Sequence, residues 1–261
     1  MLTRIQKARS AFDKKNMEEL RKSHTAEAIS KEHHETSGSY VGDFVYGAID
    51  GSVTTFAVVA GAAGAALSSN IVIILGLANL LADGFSMAIG NYLSSKSNIE
   101  FIQRERKREE WEIVHYPAGE IEEIRQIFRK KGFMGKQLED AVKTITSNKK
   151  VWIETMIADE LKLSEENMSP LRKGAVTFAS FILVGSIPII PYFLSMVSEA
   201  VKEVVYPLSI IMTFFAFFFI GSAKVYVTKK NWLTSGLETL LVGGAAAIIA
   251  YLVGYLLKGL A

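Results

Sequence analysis

The stretch VGDFVYGAIDGSVTTFAVVAGAAGAAL, residues 41–67, decides the architecture. A helix needs about 20 mostly apolar residues to cross the hydrocarbon core of a bilayer. This segment has the length, yet it carries Asp43 and, two turns deeper, Asp50. An aspartate at the centre of a membrane costs roughly 2.5–3.5 kcal/mol on insertion scales, so it faces a bundle interior or a watery cavity and not lipid. The segment therefore reads as one wall of a polar path through a multi-helix membrane protein. A structural acid hydrogen-bonded to a neighbouring helix is the plainer alternative. Gly47 with Gly51, spaced as GxxxG, and Gly61 with Gly64 predict close helix approach, in a tight pair or a dimer seam.

Working outward, four more segments have the length and apolarity of a span: 70–95, 172–194, 203–226 and 233–257. Pro188 and Pro191 are expected to kink or end the third, leaving carbonyls that neighbours or water must satisfy. The run FFAFFF, residues 214–219, reads as lipid-facing. The predicted fold class is an all-α membrane protein of five transmembrane helices, with a cytosolic helical domain inserted between spans two and three. The domains are then a tail at 1–40, spans one and two at 41–95, the insert at 96–171, and spans three to five at 172–261. The tail begins MLTRIQKARSAFDKKNMEEL, too charged for a secretory signal and too acidic for a transit peptide, and reads as an amphipathic helix followed by a linker, SKEHHETSGSY, at 30–40.

Five spans place the tail, residues 96–173 and the 224–232 loop on one side, and these hold 27 of the 29 basic residues, leaving only Lys202 and Lys258 for the other. Lys96, Arg172, Lys173, Lys224, Lys229 and Lys230 lie at span ends on that side. By the positive-inside rule the N-terminus is cytosolic and the C-terminus is outside or lumenal. A formal net charge of +2, with acids interleaved among the bases, excludes nucleic-acid binding by bulk electrostatics. With no cysteine in the chain, thiolate metal sites and disulfides are excluded, and a metal must bind through O, N or Met sulfur.

Span two contains NLLADGFSMAIGNYL, residues 79–93, in which Asn79, Asp83 and Met87 recur every four residues and share a helical face. Oxygen donors bind any hard divalent ion; a thioether in the same row favours a transition metal over Mg2+ or Ca2+. Beyond Lys96 the sequence SNIEFIQRERKREEWEIV, residues 97–114, has no helix breaker before Pro117, so span two is expected to run on as a helix with Glu105, Glu109 and Glu112 on one face. Pro117 and Gly119 turn the chain into a helix carrying Glu120 and Glu123, and VWIETMIADEL, residues 151–161, offers Met156 and Glu160 four apart. An acid-rich helix taken alone is most simply a solvated face paired to its own Lys and Arg. Paired carboxylates on helices folded together by a hinge, with a Met-x-x-x-Glu pair beside them, point instead to Fe2+ or Mn2+. Of the histidines, His24, His33 and His34 lie in the tail and His115 precedes a turn, with no second cluster at ligand spacing, so they are not taken as ligands.

These residues carry a resemblance. YGAIDGSVTTFAVVAGAAGA at 46–65, GLANLLADGFSMAIGNYLSSKS at 76–97 and GSIPIIPY at 185–192 resemble the vacuolar iron transporter family, over roughly residue 40 to the C-terminus. The resemblance implies a homodimer of five-span subunits, not an enzyme and needing no resident cofactor, that exports Fe2+ from the cytosol to a vacuole or the cell exterior in exchange for protons. It implies that the insert gathers metal on Glu109, Glu112, Glu120, Glu123, Met156 and Glu160. The intramembrane path would fall on Asp43, Asp50 and Met87, with Asn79 standing where those members have a glutamate. Asn79 cannot carry a proton, and Asp83 one turn along is the expected substitute. The alternatives are an Mn2+ or broad divalent-cation transporter, or a membrane-tethered protein that binds or oxidises iron. The compact chain suggests a prokaryotic cell membrane more than a vacuole.

Overall fold

The computed structural model describes residues 4–30, 40–164, 168–223 and 231–260. Every regular element among them is helical. Residues 31–39, which hold His33, His34 and most of the expected linker, and the loop 224–230, which holds Lys224, Lys229 and Lys230, lie outside the described residues.

The tail is not the single helix expected. It forms α1 (Arg4–Asp13), α2 (Met17–Ser23) and α3 (Ala26–Ser30). Lys15 turns into the left-handed region at φ 54°, and Asn16 then caps α2 by accepting from the amides of Glu18 and Glu19 at 3.0 and 3.1 Å. An Asn at that position satisfies amides that a new helix start leaves unpaired, so the break has a local cause. These helices belong to a unit of their own, Met1–Val41.

Among the other described residues, five helices are long and apolar enough to cross a membrane. They are α4 (Tyr40–Gly64), α5 (Ser69–His115), α9 (Pro170–Gly185) continued through a 3-10 turn at Ile187–Ile189 into α10 (Ile190–Ser195), α12 (Val205–Ala223), and α13 (Trp232–Leu257) with a closing 3-10 turn. A short α11 (Glu199–Lys202) precedes α12. Between the second and third spans lie α6 (Pro117–Lys130), α7 (Gly135–Thr146), α8 (Lys149–Thr155) and a π-helical turn at Met156–Glu160.

Helix α5 is one continuous element of 47 residues. At 1.5 Å per residue it is about 70 Å long, more than twice the roughly 30 Å of a hydrocarbon core, so its second half stands clear of the apolar layer. The prolines break the third span as expected, and Ser209 on α12 donates to the freed region at the Pro188 carbonyl, 2.7 Å away.

Small residues set the helix spacing. A Cβ on Gly47 would strike Thr177 and Ser180, one on Gly51 would strike Phe181, and one on Gly185 would strike Gly51, so α4 lies directly against α9. Gly84 makes room for Phe181 from the α5 side, and Gly61 and Gly64 meet Gly254 and Tyr251 of α13. The glycine seams are therefore filled within one chain and are not a dimer seam. The main core gathers Phe56, Val59, Val72, Ile189, Tyr192, Phe217 and Ala247 from all five spans. The FFAFFF reading needs correction: Phe215 and Phe219 are exposed, but Phe217 is fully buried and meets Phe56 edge-on at 6.2 Å. Six consecutive residues cover every side of a helix, so part of any such run must face inward.

The insert has its own core, with Ile102 and Ile113 of α5, Ile124 of α6, Leu138 and Val142 of α7, and Trp152, Ile153, Met156 and Ile157. Its rim is laced by ion pairs. Arg106 forks onto Glu154 at 2.6 and 3.1 Å, Lys149 reaches Glu110 at 2.7 Å, and Arg125 reaches Glu139 at 3.0 Å. Many of the insert's charges thus belong to solvated faces, as the plainer reading of an acid-rich helix expects.

Candidate functional site

One group of carboxylates stands apart from those rim pairs. Tyr116 ends α5, Pro117 occupies the first turn of α6, and Gly119 lies so close under the Tyr116 ring that a Cβ would collide with it. This tight corner brings the first turn of α6 against the α5 face, and Glu109, Glu112 and Glu120 converge with ligand oxygens all within 4.8 Å of one another. Glu109 is 1% exposed and Glu120 5%, a rare degree of burial for glutamates. Oε2 of each is buried without a hydrogen-bond partner. A buried acceptor that finds no donor costs about 1–3 kcal/mol, more when charged, so this pair of oxygens calls for a proton or a cation.

The electrostatics agree. Burial, first, raises Glu109 to about 7 from an ordinary 4.5; Arg108 pulls it back, while Glu160, Glu120 and Glu112 add to the rise. Burial likewise raises Glu120 to about 7, helped by Glu123, Glu112 and Glu160. Glu160 is raised too, by burial and then by Glu123. Glu123 and Glu160 are exposed and couple electrostatically to the group, and Met156 is fully buried in the insert's apolar core. Met156 and Glu160 span the π turn, in which the Leu161 amide bonds to the Met156 carbonyl at 3.1 Å. The wider π turn accumulates near functional sites in general.

A second locus lies on the spans. Asp43, Tyr46, Met87, Gly90, Asn91 and Ser94 line a pocket of ≈ 490 Å³. The Asn91 amide donates to Asp43 Oδ1 and to Thr177 Oγ1, each at 2.8 Å. Asp43 Oδ2 is buried with no partner. Two members of the expected path, Asp43 and Met87, are thus brought together. Asp50 and Asp83, both half-buried, are close enough to interact electrostatically but are not part of this pocket's lining. Asn79 is also half-buried, and its amide nitrogen lacks a partner.

The described histidines take no part. His24 bonds to the Leu20 carbonyl at 2.9 Å. His115 bonds to the Trp111 carbonyl at 2.7 Å and stacks on the Trp111 ring. Ferritin-like oxidation sites use Glu-x-x-His pairs from two helices; the insert carries one, Glu112 with His115, and its histidine is committed to Trp111.

Two residues escaped the sequence reading. Asn91 extends the register Asn79, Asp83, Met87 by one further step of four, a signal that was available. Arg108 sits inside the charge run RKREE, where nothing distinguishes it from its neighbours. In the structure its guanidinium contacts Glu105, Glu109 and Glu112 together, at 2.9, 2.6 and 2.7 Å.

The VIT family model matches residues 41–255. Curated relatives include a vacuolar iron transporter of Toxoplasma gondii, 32% identical over 97% of this chain and 88% of its own length. One from Centaurea cyanus is 36% identical, over 85% and 89%, and vacuolar iron transporter 1 of Arabidopsis thaliana is 35% identical, over 84% and 87%. Five apolar helices, acids placed among them, a match across both loci and relatives covered almost end to end lead to one assignment: the chain is a multi-pass membrane transporter that belongs to the VIT family.

Proposed function

We propose that this protein exports Fe2+, with Mn2+ as a second cargo, from the cytosol to a vacuole or the cell exterior in exchange for protons. The observation that carries the reading is the convergence of Glu109, Glu112 and Glu120 with two buried oxygens lacking a donor. Divalent iron or manganese suits such an oxygen-rich group, and the thioether of Met156 in the same insert would add the softer donor that Mg2+ and Ca2+ do not seek. The names of the relatives point the same way. The metal is cargo, and no resident cofactor is needed.

In this account the insert is cytosolic, consistent with Lys96, Arg172 and Lys173 at the adjoining span ends, and the cluster captures the ion with Glu123 and Glu160 at its rim. The ion passes to the pocket of Asp43 and Met87, and on to Asp50. Protons return by way of the acids of the spans, Asp50 and Asp83, because two carboxylates close together in a low-dielectric path repel one another unless a cation separates them. Asn79 contributes an oxygen but no proton, which leaves Asp83 as the second proton carrier. The subunits pair as a homodimer, with the path between them.

Fe2+ uptake into proteoliposomes under an imposed pH gradient tests this reading. Asp50→Ala and Asp83→Asn should each abolish gradient-driven flux. Full flux in Asp50→Ala would sink the path, and full flux in Asp83→Asn would sink its role as proton carrier.

A further inference from the structure

We infer that Arg108 is the positioning residue of the glutamate cluster: it holds one oxygen of Glu109 and one of Glu112 so that the other oxygen of each faces Glu120. The inference rests on the reading of that cluster as a metal site. Each donor direction of the guanidinium goes to a different carboxylate. Nε takes Glu105 Oε2 at 2.9 Å, one terminal nitrogen takes Glu109 Oε1 at 2.6 Å, and the other takes Glu112 Oε2 at 2.7 Å. The remaining Glu109 oxygen, Oε2, is the one left buried without a partner. The clamp thus divides the Glu109 carboxylate into an anchored oxygen and an available one.

Only arginine can do this. Its planar fork presents donors in fixed directions, whereas a lysine ammonium is a point charge that cannot hold three carboxylates at set angles. Glu105 completes the device. It lies outside the convergent trio, it is partly buried, and its bond to Nε fixes the guanidinium from behind. Arg108 itself is 40% exposed, so it is seated at the mouth of the group and not enclosed within it. Side chains that orient metal ligands typically affect metal affinity 10- to 100-fold when removed, and by one-oxygen anchoring Arg108 also confines Glu109 and Glu112 to one-oxygen coordination.

The test is Mn2+ binding by the full-length protein in detergent, followed by loss of the free-ion paramagnetic resonance signal. Arg108→Gln should weaken binding by about tenfold or more, and Arg108→Lys should restore it only in part. Glu105→Ala removes the anchor without touching a ligand of the cluster and should weaken binding several-fold, which keeps the inference testable if Arg108→Gln fails to fold. Arg108→Gln or Glu105→Ala binding as tightly as the parent would overturn it, and tighter binding would show that the guanidinium competes with metal instead of orienting its ligands. The double variant Glu109→Gln/Glu112→Gln separates the two readings. If it still binds like the parent, the cluster is not the metal site; if it loses binding while the Arg108 and Glu105 variants do not, only the clamp is wrong.

Discussion

A glutamate with one oxygen buried and unpaired is costly to keep ionised, and Glu109 and Glu120 stand side by side in that condition. Both titrate near 7 in the fold against an ordinary 4.5. The folded chain therefore holds extra protons between those values. The stability this contributes is complete below 4.5 and is lost as pH rises through about 7. Metal binding needs the ionised forms, so it expels protons below 7 and few above it. Calorimetry of Mn2+ binding in two buffers of different ionisation enthalpy should show proton release at about pH 6 that fades by about pH 8.5, with affinity rising in between. Equal proton release at both pH values would contradict the assignment. On the spans, Asn91→Ala frees Asp43 from the bond that orients it. A hydrogen bond to a charged group contributes about 1.5–3 kcal/mol, so Fe2+ uptake should fall roughly tenfold or more, and unchanged uptake would remove Asn91 from the path.

At the scale of elements, α5 was legible because nothing in residues 69–115 breaks a helix, and the third span because its prolines do. The π turn was not legible: widening one turn shifts a hydrogen bond by a single residue and leaves no mark in composition. The division of the tail depended on a cap at Asn16, which competes with helix continuation only through local geometry. Within α5 the spacing of Glu109 and Glu112 could be read directly, but their meeting with Glu120 depends on the corner at Tyr116–Gly119, which spacing alone cannot fold. The same distinction governs the seams. That Gly51 would permit close approach was evident; that Phe181 fills the space over it and over Gly84 was not. Gly51→Leu would drive a side chain into the Phe181 backbone, and such overpacking costs about 1–3 kcal/mol or more. A lowered melting temperature in detergent is expected, and an unchanged one would show that the α4–α9 seam is looser than described. Met156→Leu keeps the core volume, so the fold should tolerate it at a cost below about 1.5 kcal/mol. Fe2+ affinity should nevertheless drop, measured by anaerobic titration, if the thioether is a ligand; an unaltered affinity would leave Met156 a packing residue.

For the whole molecule, hydropathy was enough to count five spans, because each must bury its backbone in hydrogen bonds of its own. Hydropathy does not say that α5 packs on α9, or α12 on α13; that is decided by which small residues oppose which large ones. The resulting molecule places one carboxylate group on a helical insert and another on the spans, with α5 running through both. The central claim is that this transporter moves Fe2+ and protons in opposite directions. The direct measurement records both ions at once, in proteoliposomes carrying an internal pH dye and an internal Fe2+ indicator. The account predicts that inward Fe2+ flux is matched by outward proton flux, and that Asp50→Ala stops both together. Fe2+ flux with no accompanying pH change, or proton flux that persists in Asp50→Ala, would contradict it.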